Sequence, residues 1–212
     1  LLTAAGLAEP SLDDRLQHQP GLVDVQTLIP ELQVTLKYAT TDNFMKRNVY
    51  GDLRRCYLQQ EAAAMLQKAD ALLKAHDVDL RLIAFDCARP RSVQLHMWGI
   101  VKDTASQGYV ADPHSATGSL HNHGCAIDVG LAKADGALVD MGTPFDFFGK
   151  AAHPKEETAL RQSGRLSAEQ LSNRLLLRQV MVQAGFFPIG NEWWHFNCAT
   201  PAETNKRFVV IP

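Results

Sequence analysis

Ser119-Leu120-His121-Asn122-His123-Gly124-Cys125-Ala126-Ile127-Asp128-Val129 reads as a turn running into a strand, and it carries more chemistry than packing requires. Asn122-His123-Gly124 is turn-prone, and the apolar run after it predicts a strand over Ala126 to Leu131. His121 and Asp128 stand seven positions apart. On one straight strand an odd separation puts two side chains on opposite faces. Both can meet one ion only if the turn re-aims one of them, and Gly124, free to take positive φ, is suited to that task.

Working outward, Glu192-Trp193-Trp194-His195 is the natural complement of this stretch. The two segments together offer two imidazoles and a carboxylate as ligands, plus one spare carboxylate. Catalytic zinc commonly takes three N/O protein ligands and keeps a fourth position for water. A carboxylate that is not a ligand can take the proton from that water. The pattern implies a zinc hydrolase with one zinc per chain, held by His121, Asp128 and His195, with Glu192 as general base. Trp193, Trp194 and Phe196 would wall the site, and burying Glu192 among them without purpose would cost several kcal/mol. His123, inside the turn, is the competing ligand. His18, His76, His96, His114 and His153 have no such partners nearby in the sequence.

Leu80 to Phe85 predicts a strand that delivers Asp86-Cys87-Ala88-Arg89-Pro90 at its end, where functional groups often sit on loops held by a rigid scaffold. Arg89 could bond an oxyanion or a substrate carboxylate through a fork that Lys cannot imitate. The alternative is an Asp86–Arg89 ion pair at a turn. Apolar residues at helical spacing predict helices over Leu58 to Ala75, Ser92 to Gly108 and Leu166 to Ala184. The last has Ser167 as N-cap, Gln170 at the capping-box position and Gly185 as its stop. Short strands are expected at Val23–Ile29, Leu32–Leu36, Phe186–Ile189, Trp193–Phe196 and Phe208–Ile211, with a hairpin turn at Asp135-Gly136. Met141 to Gly149 reads as an aromatic-rich loop that sets Asp146 between Phe145 and Phe147. The expected fold is α+β, a single domain with a small, mostly antiparallel sheet flanked by helices and the zinc site in a cleft at the sheet. Residues 1–22 are expected to form an extended lead-in to a domain over 23–212.

The 212 residues can bury an ample core, and 46% hydrophobic with 21% charged residues excludes disorder as the default. A net charge of −2, with both signs mixed along the chain, leaves no basic footprint for nucleic acid. No run approaches the length needed to span a bilayer. Leu1 to Ala8 could be the tail of a secretory signal, and four cysteines without a CxxC pair would suit one or two disulfides. Both point to a periplasmic or exported protein, with a cytoplasmic one as the alternative. Cys125 and Cys198 lie beside the expected ligands and are read as small buried hydrophobes.

Ser119-x-His121-x-x-Gly124-x-Ala126-x-Asp128 with Glu192-x-Trp194-His195 resembles the zinc D,D-peptidases, which include VanX-type D-alanyl-D-alanine dipeptidases and VanY-type D,D-carboxypeptidases. Lys37 to Phe44, Asp86-x-x-Arg89-Pro90, Met141-Gly142-x-x-Phe145-Asp146-Phe147 and the doubled Trp193-Trp194 point to the dipeptidase branch. The resemblance implies zinc on His121, Asp128 and His195, Glu192 as base and Arg89 as the transition-state arginine. It also implies that Asp86, Ser119, Asp146 and Tyr38 line a pocket for a small D,D-dipeptide whose ammonium an acidic group answers. Leu120, where many dipeptidases have a second serine, and Asp52, where an aromatic often follows the glycine, depart from the pattern. A D,D-carboxypeptidase or other murein peptidase, and a non-catalytic zinc-binding domain, are the alternatives.

Overall fold

The computed structural model describes residues 10–212. The Leu1–Ala8 segment of the signal expectation lies outside them. Ser11 and Asp14 form a reciprocal capping box that opens α1 (Leu12–Gln17), and Leu16 is buried beneath it. The lead-in expected to be extended over 1–22 is therefore helical at its centre, held by a cap and one core leucine.

The strand β1 (Leu22–Asp24) is shorter than expected. Asp24 caps a 3-10 turn over Val25–Thr27 by accepting from the Gln26 amide, which ends the strand early. After β2 (Gln33–Val34), β3 (Tyr57–Gln59) pairs antiparallel with β1 and runs directly into α2 (Gln60–His76). The expected strand over Leu80–Phe85 is β4 (Leu80–Asp86). The expected helix over Ser92–Gly108 is α3 (Arg91–Val101), which stops early where Asp103 turns to φ 64°.

The central strand β5 (Ala126–Lys133) is buried at every position except Lys133. Beyond it come α4 (Glu157–Gln162), which periodicity did not reveal, and α5 (Ala168–Ala184), capped by Ser167 and Gln170 and stopped by Gly185 as expected. Two short strands, β6 (Phe187–Pro188) and β7 (His195–Asn197), precede α6 (Pro201–Arg207). Phe208–Ile211 joins no sheet among the described residues; the Ile211 amide donates to the Asn122 carbonyl and the Arg91 amide to that of Ile211.

The main sheet has the order β2-β4-β5-β7-β6. Only β2 runs parallel to its neighbour; all other pairs are antiparallel. Helix α2 packs on β4 and against α5, which also touches β5. The fold is thus the single α+β domain that the alternation of elements predicted. The four cysteines are buried but paired, Cys56 with Cys87 and Cys125 with Cys198, a pairing that sequence alone left open. Among the described residues no helix is long and apolar enough to cross a membrane.

Candidate metal centre and catalytic cleft

Three neighbouring strands bring the chemistry into one row. In the ladder Asp86 of β4 stands opposite Asp128 of β5, and Asp128 opposite His195 of β7. A register shift between Ala84 and Asp86 bends β4 where it delivers the row's first residue. His121 enters from outside the sheet, on a 3-10 turn over Leu120–His123. The Ser119 hydroxyl caps that turn, and Gly124 ends it at φ 67°. A Cβ at Gly124 would also lie 2.5 Å from Leu22 Cδ2, so glycine is required there twice over. This turn resolves the seven-residue separation.

His121, Asp128 and His195 each offer one ligand atom within 4.8 Å of the others. His121 Nε2 lies 3.2 Å from His195 Nδ1, and Asp128 Oδ1 is 3.3 and 3.0 Å from those two atoms. The partners on the far side of each ring set the tautomers. His121 Nδ1 lies 2.8 Å from the Cys87 carbonyl, which can only accept, so it carries the proton. His195 Nε2 likewise faces Asn197 Oδ1 at 2.8 Å. Two bare ring nitrogens and a carboxylate oxygen therefore point at one another. Three converging lone pairs repel unless a cation sits among them, and two imidazoles with one carboxylate are a donor set that suits a divalent transition metal. The residues fit a metal.

His123, the competing ligand, does not join this set. Its Nδ1 faces the Phe208 carbonyl at 3.0 Å and its Nε2 that of Thr117 at 3.2 Å. Cys125 and Cys198 are spent in their disulfide.

Glu192 stands beside the row, Oε2 3.9 Å from His195 Nδ1, with no hydrogen-bond donor on it among the described residues. Burial is the main cause that pushes its carboxyl up to about 7, with Asp128 and Asp146 adding to the rise and His195 opposing it. Arg89 is buried and extends Nη2 to 3.9 Å from Asp128 Oδ2. Its Nε donates to Asp86 Oδ2 at 2.9 Å and its Nη1 to Gln94 Oε1 at 2.7 Å. Burial opposes the Arg89 charge, and Asp86, Tyr38, Tyr50 and Asp128 together outweigh that effect, leaving the guanidinium firmly protonated. The Arg89 amide donates to the His121 carbonyl, and Asn122 Nδ2 to that of Arg89, so the two loops are sewn together.

A cleft of about 240 Å³ opens over these groups, lined by Tyr38, Arg89, Ser119, His121, Asp128, Asp146, Glu192 and His195 among others. Tyr38 and Asp146 meet on its wall, the phenol donating to Asp146 Oδ1 at 3.0 Å. Burial first, then Asp146, pushes the Tyr38 phenol up, so it stays a donor. Burial likewise raises Asp146 to about 7. Asp86 is the exception among the expected pocket residues. It is fully buried, lies beneath the cleft and is no part of its lining, its oxygens taken by Arg89 and by the Tyr50 hydroxyl. The ion-pair reading of Asp86 is the one the structure shows, while Arg89 reaches the cleft as well.

Cys87, Tyr50, Gln94 and Asn197 belong to the supporting set and went unrecognised in the sequence. Asn197 alone had a local signal, two positions from His195 and so on the same face of a strand.

The M15 peptidase family model described as D-Ala-D-Ala dipeptidase matches residues 18–211. The chain is 35% identical to the D-alanyl-D-alanine dipeptidase of Escherichia coli K12 over 175 residues, 82% of this chain and 83% of that one. It is 31% identical to the D-alanyl-D-alanine dipeptidase of Enterococcus faecium over 208 residues, 89% and 96% of the two chains. A relative of the same name from Enterococcus faecalis is 29% identical over 191 residues, 83% and 90% of the two chains. With a match across nearly its whole length and a metal-ready row of His121, Asp128 and His195 at its centre, the chain belongs to the D-Ala-D-Ala dipeptidase family of metallopeptidases.

Proposed function

We propose that this protein is a zinc dipeptidase that hydrolyses D-alanyl-D-alanine to two D-alanines. His121, Asp128 and His195 would hold one zinc, Glu192 would be the general base, and Arg89 would hold the oxyanion. The observation that carries the reading is the convergence of His121 Nε2, His195 Nδ1 and Asp128 Oδ1 with both ring protons directed elsewhere. When bound, the zinc would supply the positive charge that acidifies a water and polarises the scissile carbonyl.

The chain's own residues do the rest. Glu192, its carboxyl raised by burial, takes a proton from the attacking water at its carboxylate and returns it to the leaving amine. A carboxyl held near 7 is suited to both halves of that exchange. Three of the five Arg89 N–H groups are committed to Asp86 and Gln94, which leaves two for the oxygen on which charge develops. Asp86 acts through Arg89, fixing the plane of its fork. Asp146, backed by the Tyr38 hydroxyl, answers the dipeptide's free ammonium, and Ser119 lines the cleft while capping the His121 turn.

The size of the cleft supports a dipeptide over a longer substrate. About 240 Å³ falls below the roughly 300–1,000 Å³ of pockets that take drug-sized ligands. Two disulfides support export to an oxidising compartment such as the periplasm, where such bonds persist.

Amine release from D-Ala-D-Ala, L-Ala-L-Ala and an N-acylated D-Ala-D-Ala peptide, with and without a zinc chelator, tests the reading. Chelator-sensitive cleavage of free D-Ala-D-Ala is expected. Cleavage of the acylated peptide instead would make the protein a carboxypeptidase, and inertness towards all three would make it a binding domain.

A further inference from the structure

The loop from Asp140 to Gly149 carries Asp146 into the cleft, yet it has no helix or sheet of its own to hold it. Asp146 itself sits at φ 61°, a conformation few non-glycine residues adopt without support from their surroundings. The support comes from α5. Arg174, 1% exposed, donates from Nε to the Met141 carbonyl at 2.6 Å and from Nη2 to the Ala151 carbonyl at 2.9 Å. Those carbonyls lie five residues before and five after Asp146.

One residue earlier on α5, Asn173 Nδ2 donates to the Asp140 carbonyl at 2.9 Å. The Arg174 guanidinium also lies over the Trp193 ring, whose Nε1 donates to Thr143 Oγ1 within the same loop. Among the described residues Arg174 Nη1 is buried with no partner in hydrogen-bond range, Glu157 Oε1 lying 3.8 Å away. A stability-optimised core would not leave such a donor orphaned.

We propose that Arg174 is a positioning residue for substrate recognition: it clamps both ends of the Asp146 loop and so sets where the carboxylate meets the substrate ammonium. The inference rests on the reading of Asp146 as the ammonium acceptor. Only a planar fork can hold two carbonyls from different ends of a loop at once; a lysine keeps the charge but reaches one of them.

Steady-state kinetics on D-Ala-D-Ala with R174K, D146N and the double variant test this, together with hydrogen exchange of residues 142–152. R174K is expected to raise KM about tenfold with kcat within about twofold, a displaced contact that binds rather than reacts. On the D146N background it should add nothing, and exchange should quicken in 142–152 while α2 and β4 stay as in the wild type. A fall in kcat at unchanged KM, additivity with D146N, or unaltered exchange would each overturn the proposal. Should R174K fail to fold, N173A removes only the tether to the Asp140 carbonyl; a smaller KM rise supports the clamp and an unchanged KM overturns it. A wild-type protein inert towards D-Ala-D-Ala would sink the substrate reading and the ammonium role with it. Exchange in R174K would then still tell whether Arg174 holds the loop.

Discussion

His121 Nε2 and His195 Nδ1 face each other at 3.2 Å, and each ring has already directed its proton outward, to the Cys87 carbonyl and to Asn197. Two lone pairs so close, with Asp128 Oδ1 beside them, repel one another, and a bound cation would turn that repulsion into attraction. Adding zinc to chelator-treated protein should raise the melting temperature. At free zinc a thousandfold above Kd the gain is about 4 kcal/mol. Elemental analysis should find one zinc per chain in the wild type and a loss of it in His121→Ala, Asp128→Ala and His195→Ala. Full occupancy in any of the three would remove that residue from the ligand set.

Glu192 touches the row but completes no part of it. Replacing it with Ala should leave zinc bound and lower kcat by roughly 10²–10⁴-fold. Near-normal turnover in that variant, measured alongside its zinc content, would show that the base lies elsewhere.

Arg89 serves two masters. In Arg89→Lys the charge survives but the fork does not, and kcat should fall by about 10²–10³-fold, the cost of one oxyanion donor. Arg89→Ala strands Asp86 as an uncompensated buried carboxylate and should cost about 3–5 kcal/mol. Denaturant melts of the two variants separate these effects. Equal stability in both would mean that Asp86 does not depend on the pair.

The metal-free protein should respond to pH through Asp146 and Glu192. Both carboxyls are raised by burial, from ordinary values of 3.8 and 4.5 to about 7. Between those limits the folded state holds protons that the unfolded chain releases, so stability must fall as pH rises. Their protonated forms contribute fully below about 4, and that contribution is lost as pH climbs through 7. Melting temperatures of chelated protein from pH 4 to 8 should show this decline, and Asp146→Asn should flatten it. A profile that rises across the window would refute the assignment.

Cys56–Cys87 carries the carbonyl that orients His121, and Cys125–Cys198 ties the start of β5 to the end of β7. Loops of 31 and 73 residues closed by these bonds predict about 3–5 kcal/mol of stability from each by chain entropy. A phosphine reductant should lower the melting temperature of the metal-free protein and weaken its zinc affinity. Unchanged zinc affinity after full reduction would mean that the Cys87 carbonyl is held without the cross-link.

Much of this was legible in the residue order. Helices α2 and α5 declared themselves through apolar spacing and, for α5, through Ser167 and Gln170. Helix α6 had the same kind of signal in Thr200 and Glu203, but its few buried residues gave no periodicity to go with it. The strand over Phe208–Ile211 failed for the opposite reason, since an apolar run states that it is buried and not what it pairs with.

What the sequence determined by itself was local: which segments curl or extend, that Gly124 must turn the chain, and which side chains near the turn and the C-terminus have the chemistry of ligands and base. Such features depend on neighbours within a turn or a strand. What only the tertiary structure decided depends on atoms far apart along the chain. His121 takes its tautomer from a carbonyl 34 residues away, its partner nitrogen lies 74 away, and Arg174 finds Met141 at a separation of 33. The same distance hid the burial of Asp86, the pairing of the cysteines and the exclusion of His123. A hydrogen bond is made by position in space, and no pattern of nearest neighbours encodes which remote group will be there.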